Sequence, residues 1–209
     1  MDYGITDGHE WIKIGGVKWA TMNVGANSIT DTGLYFAWGD TQGYAAEQVG
    51  SEENQKYFSA YYDDYKWYNS VEGSGFTKYN TEDGLTTLQS SDDTATTAWG
   101  NNWRMPTYEE FQELSEVTTG EWVTNYEDSG VDGMVFTLNT DSSIKLFFPA
   151  CGNAQNGYVY DEGMIGYYWS SSAFNDDGAY HLYFSDGWII SQSSLPRSIG
   201  LVVRPVLAK

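Results

Sequence analysis

Apolar residues in this chain occur in short alternating segments separated by turn-forming residues. Residues 11–14 and 17–21 alternate on either side of two glycines, and residues 179–184 and 188–190 flank a Ser-Asp-Gly turn. Residues 135–138 and 144–148 enclose a third polar turn. Period-two alternation places successive side chains on opposite faces of a strand, and a short turn joins such strands into a hairpin. The chain is therefore predicted to form many short antiparallel strands.

Helical periodicity is confined to two segments, of which the clearer follows Pro106. Thr107 and Glu110 have the spacing of a capping box, which begins a helix. The apolar residues that follow recur at three-residue intervals and define one apolar face, made of Phe111, Leu114 and Val117. Gly120 is the expected end of this helix.

A second helix is predicted from Ser91 through Trp99, with Ser91 or Asp92 as its cap and Gly100 as its end. Residues 40–90 mix Gly, Ser, Asn, Asp and Tyr with few aliphatic residues, which is typical of a long irregular insertion. Two helices beside short antiparallel strands and long irregular loops predict an α+β class. Residues 1–209 are expected to form one domain.

The charge of the chain excludes several classes of partner. With 29 acidic and 10 basic residues the net charge is −19 at pH 7, a field that repels nucleic acids and anionic membrane surfaces. No run approaches the ~18 apolar residues of a membrane helix, and no signal peptide is visible. Aromatic residues make up 17% of the chain, which argues against disorder. We expect a folded protein that binds no nucleic acid and does not insert into membranes.

Signatures of catalysis are scarce. The chain has two histidines, His9 and His181, and one cysteine, Cys151, so neither a zinc cluster nor an intrachain disulfide is expected. Cys151 follows an apolar segment and is expected to be buried, whereas His9 is expected to face solvent. The serine run 170–172 has no general base at a defined spacing and is interpreted as structural. The prediction is a non-enzyme, with a carboxylate-based glycan-active enzyme as the alternative.

Two acidic loops are candidates for a calcium ion. Residues 128–133 begin like an EF-hand loop, but Gly130 and Asn139 stand where an oxygen ligand and the closing Glu belong, so this site is rejected. The Asn-Asp-Asp-Gly sequence at 175–178 suits a hard cation better, although a plain turn is the favoured interpretation. No cofactor is predicted.

The last third of the chain has the composition of a binding surface. Residues 169–204 are rich in Trp, Tyr, Ser and Asn and have almost no Lys or Glu, a mixture of rigid aromatic area and small hydrogen-bonding groups. Period two predicts a core face made of Tyr180, Leu182 and Phe184. It predicts an exposed face made of His181, Tyr183 and Ser185. An ordinary polar strand face is the alternative interpretation.

Several motifs along the chain together resemble one family. They cover residues 9–26, 33–40, 92–95, 99–107, 149–152, 166–172 and 197–206. The most specific are Trp-Arg-Met-Pro-Thr at 103–107, Tyr-Trp-Ser-Ser-Ser at 168–172 and Val-Arg-Pro-Val at 203–206. In combination they resemble the Fibrobacter-type major paralogous domain, which is common in gut Bacteroidetes and their phages.

This resemblance implies a C-type lectin-like fold, similar to that of formylglycine-generating enzymes, in which N- and C-terminal strands meet in one sheet. Those enzymes work through a pair of cysteines, whereas this chain has only Cys151, so their activity is not implied. Five large residues lie in the shared motifs and are expected to belong to the scaffold: Trp38, Trp103, Trp169, Arg104 and Arg204.

The resemblance extends to the variable proteins of diversity-generating retroelements, in which a C-terminal repeat is rewritten at adenines and encodes a ligand-binding face. The corresponding region here is 168–204. Its residues that fit rewritten Asn-type codons are Phe174, Asn175, Asp176, His181, Tyr183, Ser185, Ile190, Ser194, Leu195 and Ser198. Trp188 and Gln192 cannot arise from such codons, so they are either invariant neighbours in the ligand-binding face or count against this assignment.

The resulting prediction is a non-enzymatic receptor-recognition protein on a phage virion or a bacterial cell surface, with a cell-surface protein or glycan as its ligand. The alternative is a non-variable structural or adhesin-like surface domain of a gut bacterial lipoprotein. No oligomeric state is predicted.

Overall fold

A computed structural model describes residues 2–62, 64–71 and 75–208. Strands make up 40% of the structure and helices 11%. The α+β class expected for a C-type lectin-like fold is therefore wrong, and the chain is mainly β. The physical reason is that the two segments with helical periodicity form helices of only 6 and 10 residues, too short to build a helical layer.

The first helix, α1 (Thr94–Trp99), begins later than the sequence predicts. Its cap is Asp93, whose carboxylate accepts the Thr96 N–H at 2.9 Å. Asp92 is unavailable as a cap because it accepts hydrogen bonds from Lys78 and Tyr79. Gly100 ends the helix, as predicted.

The second helix, α2 (Tyr108–Val117), has the predicted capping box between Thr107 and Glu110. It ends at Val117, before Gly120, because Thr118 already begins the next strand. None of the helices in the described part of the chain is long and apolar enough to cross a membrane.

The strands form five small antiparallel sheets, with strand orders β1-β2-β3-β15-β6, β7-β8-β9, β12-β13-β14, β10-β11 and β4-β5. In chain order they are β1 (Tyr3–Thr6), β2 (His9–Ile14), β3 (Val17–Ala20), β4 (Tyr68–Asn69), β5 (Gly75–Phe76), β6 (Trp103–Arg104), β7 (Thr118–Val123), β8 (Gly133–Leu138), β9 (Lys145–Pro149), β10 (Asn153–Gln155), β11 (Tyr158–Tyr160), β12 (Ile165–Ala173), β13 (Gly178–Ser185), β14 (Trp188–Pro196) and β15 (Val206–Leu207). The three predicted hairpins are confirmed as β2-β3, β8-β9 and β13-β14. Near the C-terminus, β15 pairs with β3, so N- and C-terminal strands do share a sheet.

Two apolar cores lie on opposite faces of the β12-β13-β14 sheet. The larger core contains Tyr168, Leu182 and Phe184 together with residues of α2 and the β7-β8-β9 sheet. The smaller core contains Trp169 and Ala179 from the other face. This sheet is therefore held in place from both sides over part of its length.

Four of the five predicted scaffold residues are buried, and the fifth is half-buried. Trp38, Trp103, Trp169 and Arg204 are fully inaccessible, and the half-buried Arg104 forms a bidentate ion pair with Glu110 at 2.5 and 2.7 Å. Cys151 is buried as predicted, and burial raises the pKa of its thiol to about 11.

The region around 40–90 contains few regular elements. Its aromatic rings contact one another: the Tyr62 ring lies 4.9 Å from Phe76, and the Tyr65 ring 5.9 Å from Trp67. Residues 63 and 72–74 of this predicted insertion lie outside the described residues.

Candidate ligand-binding face

The pairing of β12, β13 and β14 arranges side chains of the predicted binding region in rows. Tyr167 pairs with Tyr183, which pairs with Ile190, and Ser185 pairs with Trp188 in the neighbouring row. Directly paired residues share a sheet face, as do residues two apart on one strand. We call this face, made of Tyr167, Tyr183, Ser185, Trp188 and Ile190, the open face.

The opposite side of the sheet is buried. Leu182 and Phe184 are fully inaccessible, which confirms the prediction for these two core residues, and Ile189 packs against the larger core. Tyr180, also predicted as core, is only half-buried. It stacks on Tyr108 of α2 with ring centroids 4.5 Å apart.

The open face presents large apolar side chains to solvent. Trp188 is 69% and Ile190 45% exposed, and both belong to β14, the last strand of this sheet. Tyr183 and Ser185 are half-buried beside them. The rings of Tyr167 and Tyr183 meet edge to face, 5.4 Å apart and at 73°. Exposed aromatic area on a strand whose other side is buried is the arrangement of a rigid contact surface.

His181 lies on the same side of β13 but is not exposed, so the prediction for this residue is wrong. Only 1% of its surface is accessible, and its ring contacts Tyr167 and its cross-strand partner Trp169. Burial lowers the pKa of His181 to about 3, which keeps the imidazole neutral at pH 7. Its Nδ1 atom has no hydrogen-bond partner among the described residues. The smaller core packs on this part of the sheet. Alternation along a strand shows which side chains share a face, but not which part of that face is covered by other residues.

The predicted residues at the other end of the sheet belong to a hydrogen-bonded loop. Asn175 accepts the Gly178 N–H at 2.7 Å, and Asp176 accepts both the N–H and the hydroxyl of Thr81 at 2.8 Å. Phe174 is 52% exposed and contacts Tyr180 edge to face. We call residues 174–177 the tethered loop. Beside the Asp176–Thr81 contact, a cavity of about 190 Å³ is lined by residues 173–176, 79–81 and 84–86.

Arg197 anchors the tethered loop to the interior of the protein. It is fully buried and donates hydrogen bonds to the carbonyl oxygens of Asn175, Gly178, Lys78 and Tyr79. Its guanidinium also lies 4.7 Å from the ring of Trp38. The neighbouring Ser198 is buried as well. This end of the predicted region is therefore part of the scaffold.

The remaining predicted residues are divided between surface and core. Gln192 is exposed, Ser194 pairs with Tyr180, and Leu195 packs against the smaller core. Tyr167 was missing from the predicted site because the predicted region starts one residue later. Its alternation with the buried Tyr168 is the sequence signal that could have identified it.

His9 also differs from its prediction. It is half-buried and stacks on Trp99, with ring centroids 3.6 Å apart and planes at 8°. Burial is the main reason that the pKa of its imidazole is lowered, and Asp7 opposes the shift. His9 is thus a packing residue at the start of β2 and lies outside the open face.

The part of the chain that contains the open face is anionic. Residues 146–208 include five carboxylates but only two cationic side chains, Arg197 and Arg204, and both are fully buried. Asp161 accepts a hydrogen bond from the Tyr167 hydroxyl at 3.4 Å. Burial, followed by the charge of Asp161, raises the pKa of Tyr167 to about 12, so its phenol is neutral at pH 7.

Neither metal geometry nor a known relative assigns a chemistry to this face. Within the described ranges, no group of three or more His, Cys, Asp or Glu side chains is placed to hold a metal ion. Residues 110–206 match a protein family described as a domain of unknown function (DUF8237). This match begins in α2 and includes the whole β12-β13-β14 sheet. No curated protein and no solved structure matches the chain.

Proposed function

We propose that this chain is a non-enzymatic recognition protein that binds its ligand through the open face. The observation that carries the proposal is the exposure of Trp188 and Ile190 beside Tyr183 on a sheet whose other side is buried. A rigid backbone with exposed aromatic side chains loses little conformational entropy on binding, and Trp and Tyr dominate the energetics of protein contacts. The setting we propose is a phage virion or a bacterial cell surface, with a cell-surface protein or glycan as ligand.

We further propose that the open face is the variable part of a diversity-generating retroelement protein. Tyr183, Ser185 and Ile190 fit the rewritten codons and tolerate replacement because each has solvent on one side. The buried Ser198 and the hydrogen-bonded Asp176 fit the same codons, but replacing them disturbs the scaffold. The alternative is a non-variable surface domain of a lipoprotein. The two proposals predict different patterns of natural sequence variation.

Binding is tested with fluorescently labelled protein on a panel of gut bacterial isolates, read by flow cytometry. Trp188→Ala is expected to weaken binding at least about tenfold, as truncation of a central aromatic contact does. Tyr158→Ala is the matched control, because Tyr158 is 67% exposed but belongs to β11. Unchanged binding of Trp188→Ala to cells that bind the wild type would place the contact elsewhere.

Variability is tested by sequencing the gene from several isolates. Substitutions at adenine-bearing codons of Tyr183, Ser185 and Ile190, with Ser198 unchanged, support a variable protein. Uniform substitution over the whole chain favours the lipoprotein domain.

A further inference from the structure

The open face contains two aromatic rings that form a corner. Tyr167 and Tyr183 lie with ring centroids 5.4 Å apart and planes at 73°, so they present two differently oriented π surfaces. Trp188 stands one row away and is mostly exposed. A cation within about 6 Å of a ring centroid is attracted by the negative face of the ring.

Elsewhere in the molecule, comparable rings carry a cation of the chain itself. Lys18 lies 4.5 Å from the ring of Trp11, and Lys66 lies 4.0 Å from that of Trp67. The buried Arg204 lies 4.3 Å from Phe148. Among the described residues, no lysine or arginine lies over Tyr167, Tyr183 or Trp188. These three rings are therefore left without an internal cation.

Among the described residues, the carboxylates next to these rings also lack a cationic partner. Asp161 contacts the hydroxyl of Tyr167, and the exposed Asp186 lies in the turn that leads into Trp188. Within the part of the chain that the structure describes, lysines and arginines form ion pairs with Asp92 and Glu110 but not with Asp161 or Asp186. Ring faces and carboxylates without a cationic partner both attract a positive charge, and both repel an anionic ligand.

We infer that the open face binds a lysine or arginine side chain on the surface of a partner protein. The cation lies against Tyr167, Tyr183 and Trp188, with Asp161 and Asp186 beside it, while Ile190 contacts the aliphatic part of the same side chain. Charge complementarity favours this occupant over a sialylated or phosphorylated glycan. The inference rests on the proposed function, because it specifies the ligand of the same face.

The test uses three short peptides that differ only in charge. They have the sequence acetyl-Gly-X-Leu-X-Gly-amide, with X as lysine, norleucine or glutamate. Binding to the full chain is followed by NMR, using the indole N–H signal that disappears in Trp188→Phe. We expect the lysine peptide to bind about fivefold more tightly than the norleucine peptide and the glutamate peptide to bind weakest.

A charge-matched pair of variants separates local from global electrostatics. Asp161→Asn with Asp186→Asn is expected to lower affinity for the lysine peptide about fivefold. Glu52→Gln with Glu53→Gln makes the same change in net charge at two exposed residues outside the open face and is expected to leave the affinity within about twofold. If both double variants lost the same affinity for the lysine peptide, the net charge of the chain would explain the effect, and the inference would be overturned.

Two further outcomes overturn the inference in distinguishable ways. If lysine and norleucine peptides shift the Trp188 signal with equal affinity, the open face binds ligands without preferring a cation, and the proposed function stands. If the lysine peptide binds without shifting that signal, and Trp188→Ala also retains cell binding, the open face is not the contact surface and both proposals fail.

Discussion

The two ends of the β12-β13-β14 sheet differ in what surrounds them, although both belong to the region predicted to bind ligand. At the open face, Trp188 and Ile190 project into solvent beside half-buried tyrosines. At the tethered loop, Asn175 and Asp176 hydrogen-bond within the scaffold. Residues assigned to one predicted binding site thus have different roles at the two ends.

This difference shows where a rigid protein tolerates variation. A substitution at the open face changes a surface without removing a buried contact, whereas one at Asp176 of the tethered loop removes the two hydrogen bonds that hold Thr81. The buried Arg197 adds hydrogen bonds that link this loop to residues 78 and 79, and a buried polar group that loses its partners costs far more than an exposed one. The stability of single variants is therefore the direct measure of the contrast between the two ends.

Among single variants compared at pH 7, the largest expected effect is that of Arg197→Ala. The substitution removes a buried guanidinium from four carbonyl oxygens, including those of Tyr79 and Asn175. We expect the free energy of unfolding to fall by about 3 kcal/mol, measured by urea denaturation at pH 7. Arg197→Lys keeps the charge, so its free energy of unfolding should lie between those of the wild type and Arg197→Ala. A loss below about 0.5 kcal/mol, typical of a surface change, would contradict the scaffold role of this end.

His181 should make the stability of the sheet dependent on pH. Its folded pKa of about 3 lies below the ordinary value of 6.5, so the unfolded chain binds the proton more readily. The stabilising contribution is complete above pH 6.5 and is lost as the pH falls toward 3, by up to about 1.4 kcal/mol per pH unit. In His181→Phe, the free energy of unfolding should therefore change less between pH 6.5 and 3 than it does in the wild type. Parallel pH curves for variant and wild type would refute the burial of His181.

Asp176→Ala should have an intermediate, local effect. It removes two hydrogen bonds to Thr81, and we expect a loss of about 1 kcal/mol together with faster amide hydrogen exchange around residues 79–86. Asp177→Ala, at the adjacent exposed carboxylate, is the control. Equal effects of both variants would mean that charge, not the link to Thr81, stabilises the loop.

The smallest expected effects are those of Trp188→Ala and Ile190→Thr. Trp188 is 69% and Ile190 45% exposed, so each variant should change the free energy of unfolding by less than about 0.5 kcal/mol in thermal or urea denaturation. Ile189→Ala is the matched control, because Ile189 lies between them in sequence but packs against the larger core. It should cost at least about 1 kcal/mol. A large loss for Trp188→Ala would mean that the open face is a structural surface.

Local features of the fold could be predicted from the sequence. The hairpin that joins residues 179–184 to 188–190 and the Thr107–Glu110 capping box depend on neighbours within a few residues, and both are confirmed. The fold class could not be predicted, because it depends on how much of the chain the two helices occupy. Of the candidate site, alternation on β13 assigned Leu182 and Phe184 to the core but misplaced His181.

The sequence by itself determined which side chains share each face of β13, because the period of two is a property of the backbone. It also determined an anionic chain with two arginines after residue 146. Only the tertiary structure decided which part of each face meets water: the smaller core covers His181 and Trp169, while Trp188 remains exposed. Such coverage comes from residues far apart in the chain, which no local pattern encodes.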